Sequence, residues 1–319
     1  MKKLLIIILS LFVFVPGVNA AKIDISAKHQ QIDVDKNKGL FSGDVQVQIG
    51  DIIVKSPSAK LDLDPKTKKP SLATFLENPY AFQEKGSKKH EIKSQIIKVS
   101  LLNKKLYASG NTQSIIMQDR QPVVVVTSDT QEYDTNTKIM KANGGVVITY
   151  DTLETYSEYA EAKIDNGGEI DYLKLRGNVV IKEKGNIAKG NDFDYNMKKG
   201  DFVISGNTTS DVVFEDGTRV YTIADRQLMN RYSKTMIAAG HVTIEYKDYV
   251  AKGPKAHLLV DQKTNKANEI VFTGRSKITQ KSNSIEADRI KLILNPKGFT
   301  ADGNVKTSIN TEDSGEMEL

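Results

Sequence analysis

The chain has 319 residues, 39% of them hydrophobic, with no cysteine, no tryptophan and a formal charge of +5. The absence of cysteine excludes disulfide staples, thiolate chemistry and a lipidated N-terminal cysteine. Two of the positive charges, Lys2 and Lys3, sit in an N-terminal export segment, and what remains is too close to neutral to argue for nucleic acid.

Residues 1–20 read as a cleavable secretory signal peptide. A basic start leads into an almost unbroken apolar run from Leu4 to Val15, a break at Pro16-Gly17 and the small-residue cleavage site Val18-Asn19-Ala20. The run is shorter than the roughly 20 residues that a spanning helix needs. The mature chain is therefore expected outside the cytoplasm.

Downstream, one phrase recurs. In chain order GLFSGDVQVQI, KLYASGNTQSI, KIMKANGGVVITY, DYLKLRGNVVIKE, DFVISGNTTSDVVF, TMIAAGHVTIEY, EIVFTGRSKITQ and GFTADGNVKTSI align on Gly43, Gly110, Gly144, Gly177, Gly206, Gly240, Gly274 and Gly303. From Gly110 onward the spacing is 29 to 34 residues, and the first gap is about twice as long. That gap has room for a ninth copy centred on Asn78-Pro79, a turn-forming pair.

Phase within each copy turns the period into a structure. Two residues before the glycine stand only apolar residues, among them Phe41, Leu175, Ile204 and Phe272; four before it come Met140, Leu173, Phe202 and Ile270. Two and four after it come Val45 and Val47, Val146 and Ile148, Val179 and Ile181, and Val242 and Ile244. Even offsets share one face of a strand, so the pattern predicts an apolar inner face with the glycine on it. There it would bend the strand and keep the interior open at the corner. Odd positions carry Lys105, Lys141, Lys174 and Lys182, a wet outer face.

Shorter alternating runs such as SAKLDLD, YAEAKID, KAHLLVD and EADRIKLIL lie between the glycine strands, with Ala59, Ala160, Ala224, Ala256 and Ala287 recurring near their starts. Turn clusters such as DKNKG, DPKTKKP and DTNTK separate the runs, and no stretch holds the helical period. The fold class is all-β: antiparallel strands stacked as two facing sheets, each copy touching mainly its neighbours. One repeat domain is expected over residues 21–310, as a continuous trough or as two tandem units of about 21–150 and 151–310. The acidic 311–319 reads as a loose tail.

The signal peptide, the absent cysteine and the phrases YASGNT, LRGNVVI, VISGNT, AAGHVTI and FTADGNV, with KSPSAKLDLD, TSDTQEYD and EADRIKL, resemble the LptA/OstA family of lipopolysaccharide transport proteins over roughly residues 22–310. The resemblance implies an elongated OstA-like β-jellyroll, open along one side, whose apolar interior holds lipopolysaccharide acyl chains. It also implies a periplasmic bridge from an inner-membrane complex (LptB, LptF, LptG and LptC) to an outer-membrane translocon (LptD with LptE). Strand pairing would join it to LptC-like and LptD-like partners or, head to tail, to copies of itself. This chain is longer than a typical LptA-type bridge, which leaves open a fusion of two units or a relative of the translocon's amino-terminal domain.

On the residues alone, the inner face either holds alkyl chains or fills as an ordinary core. The groove-lining candidates are Val45, Val47, Met140, Val146, Ile148, Leu173, Leu175, Val179, Ile181, Phe202, Ile204, Val242, Ile244, Ile270 and Phe272. No polar residue is expected to recur at a fixed inner position. Partner-binding edges fall near Ile23 and Ile25 at one end and Val305 and Ile309 at the other, where terminal strands expose backbone groups. A structural β-solenoid or surface scaffold without lipid is the alternative, and a carbohydrate-active β-helix would require clustered acids that the repeats lack.

Nothing points to catalysis, a metal or a cofactor. His29, His90, His241 and His257 are scattered, and the pairs Asp33/Asp35, Asp62/Asp64 and Asp192/Asp194 lack the spacing of a calcium loop. Lysine-rich turns at 66–69, 85–90 and 103–105 read as solubility features, with lipid phosphates at the groove mouth as the functional alternative.

Overall fold

The structure, a computed structural model, describes residues 23–164, 170–213, 217, 219–260, 267–294 and 297–310. The expected signal peptide and acidic tail lie outside the described residues. Among those described there are 22 β-strands and no helix. Their pairings are antiparallel and join strands near one another in sequence.

The repeating glycine makes a corner. Gly43, Gly110, Gly144, Gly177, Gly206, Gly240, Gly274 and Gly303 all have φ between 76° and 87°. In most copies the next residue is left-handed too: Asp44, Asn111, Gly145, Asn178, Asn207, His241 and Asn304 have φ of 46° to 52°. Gly has no Cβ to clash there, and Asn and Asp tolerate the region better than other residues. This pair adds one residue to the glycine strand, so the ladder slips between Ser42 and Val45 and between Ala239 and Val242. The ninth corner is where the sequence left room for it. Glu77 and Asn78, with φ of 66° and 61°, separate β5 (Pro70–Leu76) from β6 (Tyr80–Lys85), which both pair with β4 (Ile52–Leu63).

Joining the short strands that meet at corners reduces the described residues to eighteen bent strands. These joined pairs are β1 (Ile23–Ser26) with β2 (His29–Asp33), β5 with β6, β7 (Lys88–Lys93) with β8 (Ile96–Ser100), and β21 (Lys297–Asp302) with β22 (Lys306–Ser308). Every second bent strand carries the left-handed corner. Three of the strands between, all in the first unit, use a serine whose hydroxyl donates to the carbonyl two residues on, whereas Ala224, Gly253 and Ala287 hold that register position in the second unit. These bonds are Ser56 to Ser58 at 2.9 Å, Ser94 to Ile96 at 2.9 Å and Ser128 to Thr130 at 3.1 Å.

The glycines do not face the interior, contrary to the sequence expectation. A Cβ on Gly206 would lie 2.8 Å from Cβ of Asn191, and one on Gly43 would lie 2.9 Å from Cβ of Lys28. These neighbours are exposed corner residues of the preceding strand. Glycine is needed because two corners stack closely, and the inner face belongs to the flanking aliphatics. Nor do the alanines form one set. Ala59, Ala160 and Ala256 pair on one side of the corner, with Phe41, Ala142 and Ala238, whereas Ala224 and Ala287 pair on the other, with Thr208 and Ser276.

Two compact units result, the first ending at Leu175 and the second beginning at Arg176, within β13 (Ile170–Glu183). Residue 150 falls at the turn between β11 (Ile139–Tyr150) and β12 (Leu153–Ile164), which form one hairpin ladder within the first unit. In the first unit β1 and β2 pair with β3 (Lys38–Ile49). In the second, β21 and β22 pair with β20 (Asn283–Leu294). Short hairpin turns such as Asp119-Arg120 and Lys247-Asp248 form one lip of each unit, and longer turns form the other. The longer turns stack through backbone bonds, with the Thr135 amide donating to Lys104 at 3.0 Å and the Arg231 amide to Gly200 at 2.9 Å.

Both limbs of the bent strands share an interior. In the second unit one buried cluster unites Ala238, Leu258, Ile270 and Leu292, on the long-turn side of the corner, with Val242, Ile244, Tyr246 and Ile278, on the short-turn side. Replacing Gly206 with alanine is expected to destabilise by about 1–3 kcal/mol, because a strained φ and a steric overlap coincide. Alanine at Gly50, left-handed but with nothing within 4 Å, should cost less. Urea midpoints of the two variants check the order.

Candidate functional site

The inner face of the second unit is built in register. On the long-turn limb Tyr195, Phe202, Met229, Met236, Leu258, Ile270, Leu292 and Phe299 lie side by side, each the Cα partner of the next. They come from β14 (Asn186–Asn196), β15 (Asp201–Val213), β16 (Arg219–Asn230), β17 (Thr235–Tyr246), β18 (Tyr249–Val260), β19 (Ala267–Gln280), β20 and β21. Cα partners on neighbouring strands share a face, so one apolar residue per strand suffices to pave the row. Phe202, Met229 and Met236 are half-buried, whereas Ile270 is fully buried. Phe202 stacks on Tyr195 with ring centroids 4.3 Å apart.

Toward β20 and β21 the limbs leave a narrow apolar crevice, open to solvent, with a cavity volume of only about 10 Å³. Tyr249, Ile278, Gln280 and Ile285 line it from one limb, Ile290, Leu292 and Phe299 from the other.

The residues singled out in the sequence fall on the inner faces of the two units, those up to Leu175 in the first and the rest in the second. Val45, Val47, Val146, Ile148, Leu173, Leu175, Val179, Ile204, Val242, Ile244, Ile270 and Phe272 are buried, none more than 7% exposed, and Met140, Ile181 and Phe202 are half-buried. Ile23 and Ile25 are half-buried on β1, opposite Ile49 and Val47. Val305 and Ile309 are 50% and 68% exposed. The groove candidates were drawn from glycine strands alone and so left out Met229, Leu258 and Leu292, which the intervening strands contribute. Their signal was the same alternation in the shorter runs between the glycine strands.

A second correction concerns polarity, because the inner face is not wholly apolar. In the second unit Ser210 donates to Gln227 Oε1 at 2.7 Å and Gln227 Nε2 to Thr208 at 2.9 Å, while Thr208 donates to the Ala224 carbonyl at 2.8 Å. The first unit repeats this knot 96 residues earlier with Thr112, Ser114 and Gln131. There Ser114 donates to Gln131 Oε1 and Gln131 Nε2 to the Val126 carbonyl at 3.2 Å. Each glutamine lies on one limb and its hydroxyl partners on the other, so each knot ties the limbs together beside the corner. Alternation rules that count only apolar residues pass over such positions.

Apart from His90, which lies on the inner face of the first unit opposite the buried Ile116, the polar groups flagged earlier are outer-face or turn residues. Asp192 and Asp194 meet Arg176 at 3.4 and 2.6 Å, and Asp64 accepts the Thr67 amide of its own turn at 2.7 Å. His241 is exposed and sits 2.9 Å from Asp225. Burial pushes His90 down to about 4, helped by Lys88, so its ring is neutral near pH 7. Among the described residues no three His, Asp or Glu side chains gather as metal ligands. The lysine turns 66–69 and 103–105 fall on the long-turn lip and 85–90 on the short-turn lip.

No protein-family model and no curated protein matches the sequence. Among solved structures, the chain is similar to LptH, the LptA-homologous periplasmic component of the lipopolysaccharide transport device from Pseudomonas aeruginosa. The match is 14% identical with a TM-score of 0.36 and covers 41% of this chain and 96% of that one, too slight to carry an argument about function.

Replacing Gln227 with leucine is expected to cost about 1–3 kcal/mol, since it leaves the Ser210 and Thr208 hydroxyls without their inner partner. Changing Thr208 to valine and Ser210 to alanine in the same chain should recover part of that loss. Chemical denaturation of the single and triple variants measures both.

Proposed function

We propose that this chain is a non-enzymatic periplasmic carrier that holds the acyl chains of lipopolysaccharide between the limbs of its bent strands. The observation that carries the reading is the inner row of apolar side chains, unbroken over eight successive strands of the second unit. Such a row runs across the strands, so alkyl chains lying along it meet one apolar residue about every 4.8 Å. Each methylene withdrawn from water contributes about 0.8 kcal/mol. The sequence phrases that resemble the LptA/OstA family support the choice of lipid. The outer strands β1, β2, β21 and β22 suit pairing with LptC-like and LptD-like proteins or with further copies of the chain.

A second reading, a structural scaffold with a dry core, is favoured by one observation. Ile270, Phe272, Ile290 and Leu175 are fully buried by protein alone. Under the carrier reading these side chains exchange contacts with one another for contacts with lipid as the limbs part.

A photo-crosslinking residue at Ile148, Ile181 or Ile244 is expected to capture lipopolysaccharide in cells, whereas one at the outward Lys182 or Lys247 is not. Equal labelling of both sets, or none at either, rules for the scaffold. Native mass spectrometry of the exported protein gives an independent check through a co-purifying amphiphile.

A further inference from the structure

The outer face of the first unit carries a cluster that holding a lipid between the limbs does not require. Beside the corner, Gln46, Lys55, Tyr80, Lys93 and Gln113 stand in one row, each the Cα partner of the next. They come from β3, β4, β6, β7 and β9 (Lys105–Gln118). Their chain neighbours Val54, Ala81 and Ile92 are the buried residues, so the row points outward. At a strand spacing of about 4.8 Å it offers amide, ammonium, phenol, ammonium and amide in turn.

The centre of the row is fixed. Tyr80 stacks on Phe82 with ring centroids 5.3 Å apart. Its hydroxyl donates to Glu91 at 2.6 Å and accepts from Lys89 at 2.9 Å, while Lys89 meets Glu91 at 2.6 Å. Glu91, only 8% exposed, is enclosed in that triangle. Lys55 and Lys93 have ring faces for company: Lys55 lies 5.7 Å from the Phe82 centroid and Lys93 5.6 Å from that of Tyr80. Neither has a carboxylate within 4 Å among the described residues. Acids at the adjoining corners are engaged elsewhere, Asp44 by Lys28 at 2.6 Å and Glu77 by the Ser58 hydroxyl at 2.6 Å. Between Ile52 and Lys105 twelve lysines stand against five acids, so the surroundings do not supply the missing anion. A ring face orients an ammonium while leaving its charge uncompensated. An anion from outside relieves the repulsion between the two.

The corresponding row of the second unit, counted from the corner glycines, lacks these features. Thr209, Ile223, Thr243, Lys252 and Lys277 include no ring, and Lys277 is paired with Glu286 at 3.1 Å.

We propose that the row from Gln46 to Gln113 binds an acidic saccharide, with its anionic groups at Lys55 and Lys93 and its hydroxyls on the flanking glutamines. Amide side chains both donate and accept, which matches hydroxyl groups. These middle strands have no unpaired edge for a peptide backbone to join, which favours a sugar over an acidic peptide. The row flanks the corner, the part of the bent strand furthest from both lips. Its ligand is therefore a separate molecule from any lipid held between the limbs, and the site stands without the carrier reading.

Full-length exported protein is titrated by calorimetry at low ionic strength with hexagalacturonate, neutral maltohexaose and hexaglutamate. Hexagalacturonate is expected to bind, and the other two about tenfold more weakly or less still. Lys55→Ser with Lys93→Ser, both exposed positions, should weaken hexagalacturonate about tenfold or more. Lys189→Ser with Lys252→Ser in the second unit should leave its affinity unchanged.

Equal affinity for maltohexaose overturns the need for an anion, and equal affinity for hexaglutamate overturns the saccharide. A drop of the same size from the second-unit pair, or none from the Lys55 and Lys93 pair, overturns the location. Absence of hexagalacturonate binding to the folded wild-type protein overturns the site altogether. All of these outcomes leave the carrier reading to its own test, the capture of lipid at inner positions.

Discussion

Two successive residues at positive φ, repeated along the chain, are the constraint on which the rest depends. A straight strand of twelve or more residues would present one flat inner face and bury it only against a separate sheet. Bending every strand at the same place lets its two limbs bury their inner faces against each other. Glycine at φ near 80° followed by Asn, Asp or Gly near 50° achieves this with residues that tolerate the left-handed region. The intervening strands turn without that pair, and in three of them, at Ser56, Ser94 and Ser128, a serine hydroxyl meets a carbonyl two residues on. Alternation of the two corners lets them nest, with Gly206 against Asn191 and Gly303 against Asp288.

What lies between the limbs follows from that geometry. Apolar contacts there are non-directional, so an aliphatic side chain gains about as much beside an alkyl chain as beside its own neighbours. Exchange of one for the other is close to balanced, which suits a carrier that must release what it holds. Hydrogen bonds are directional, and the knots at Gln131 and Gln227 set the distance between limbs near the corner. Limbs so fastened part most readily at the lips.

Much of this was legible in the sequence, and the gaps have physical causes. Alternation placed Val146, Ile148, Val242 and Ile244 on the inner face, because a period of two leaves a strand little choice once one face is buried. The glycine period located the corners, and the long first gap located the one at Glu77-Asn78. Which way a corner glycine faces was not legible, since it depends on the side chain of the residue fifteen positions earlier, as with Asn191 beside Gly206. The division within β13 was equally hidden. Nothing in the local pattern of that strand differs from its neighbours, and a hairpin turn at 150 looks like any other boundary.

The Asn and Asp that follow the glycines were visible and were not used. Gly-Asn recurs at 110, 177, 206 and 303, which is the composition of a chain that must hold two left-handed residues in a row. The polar knots were hidden for a different reason. Thr112, Ser114 and Gln131 recur only once, as Thr208, Ser210 and Gln227, so a period of 29 to 34 residues conceals them and a period of 96 reveals them. The longer period also carries Tyr133 to Met229 and Glu132 to Leu228. A shared backbone register thus holds different side chains at the lips of the two units. The corners are common to both units and the lips are not, so the fold constrains the former while chemistry is free to vary at the latter.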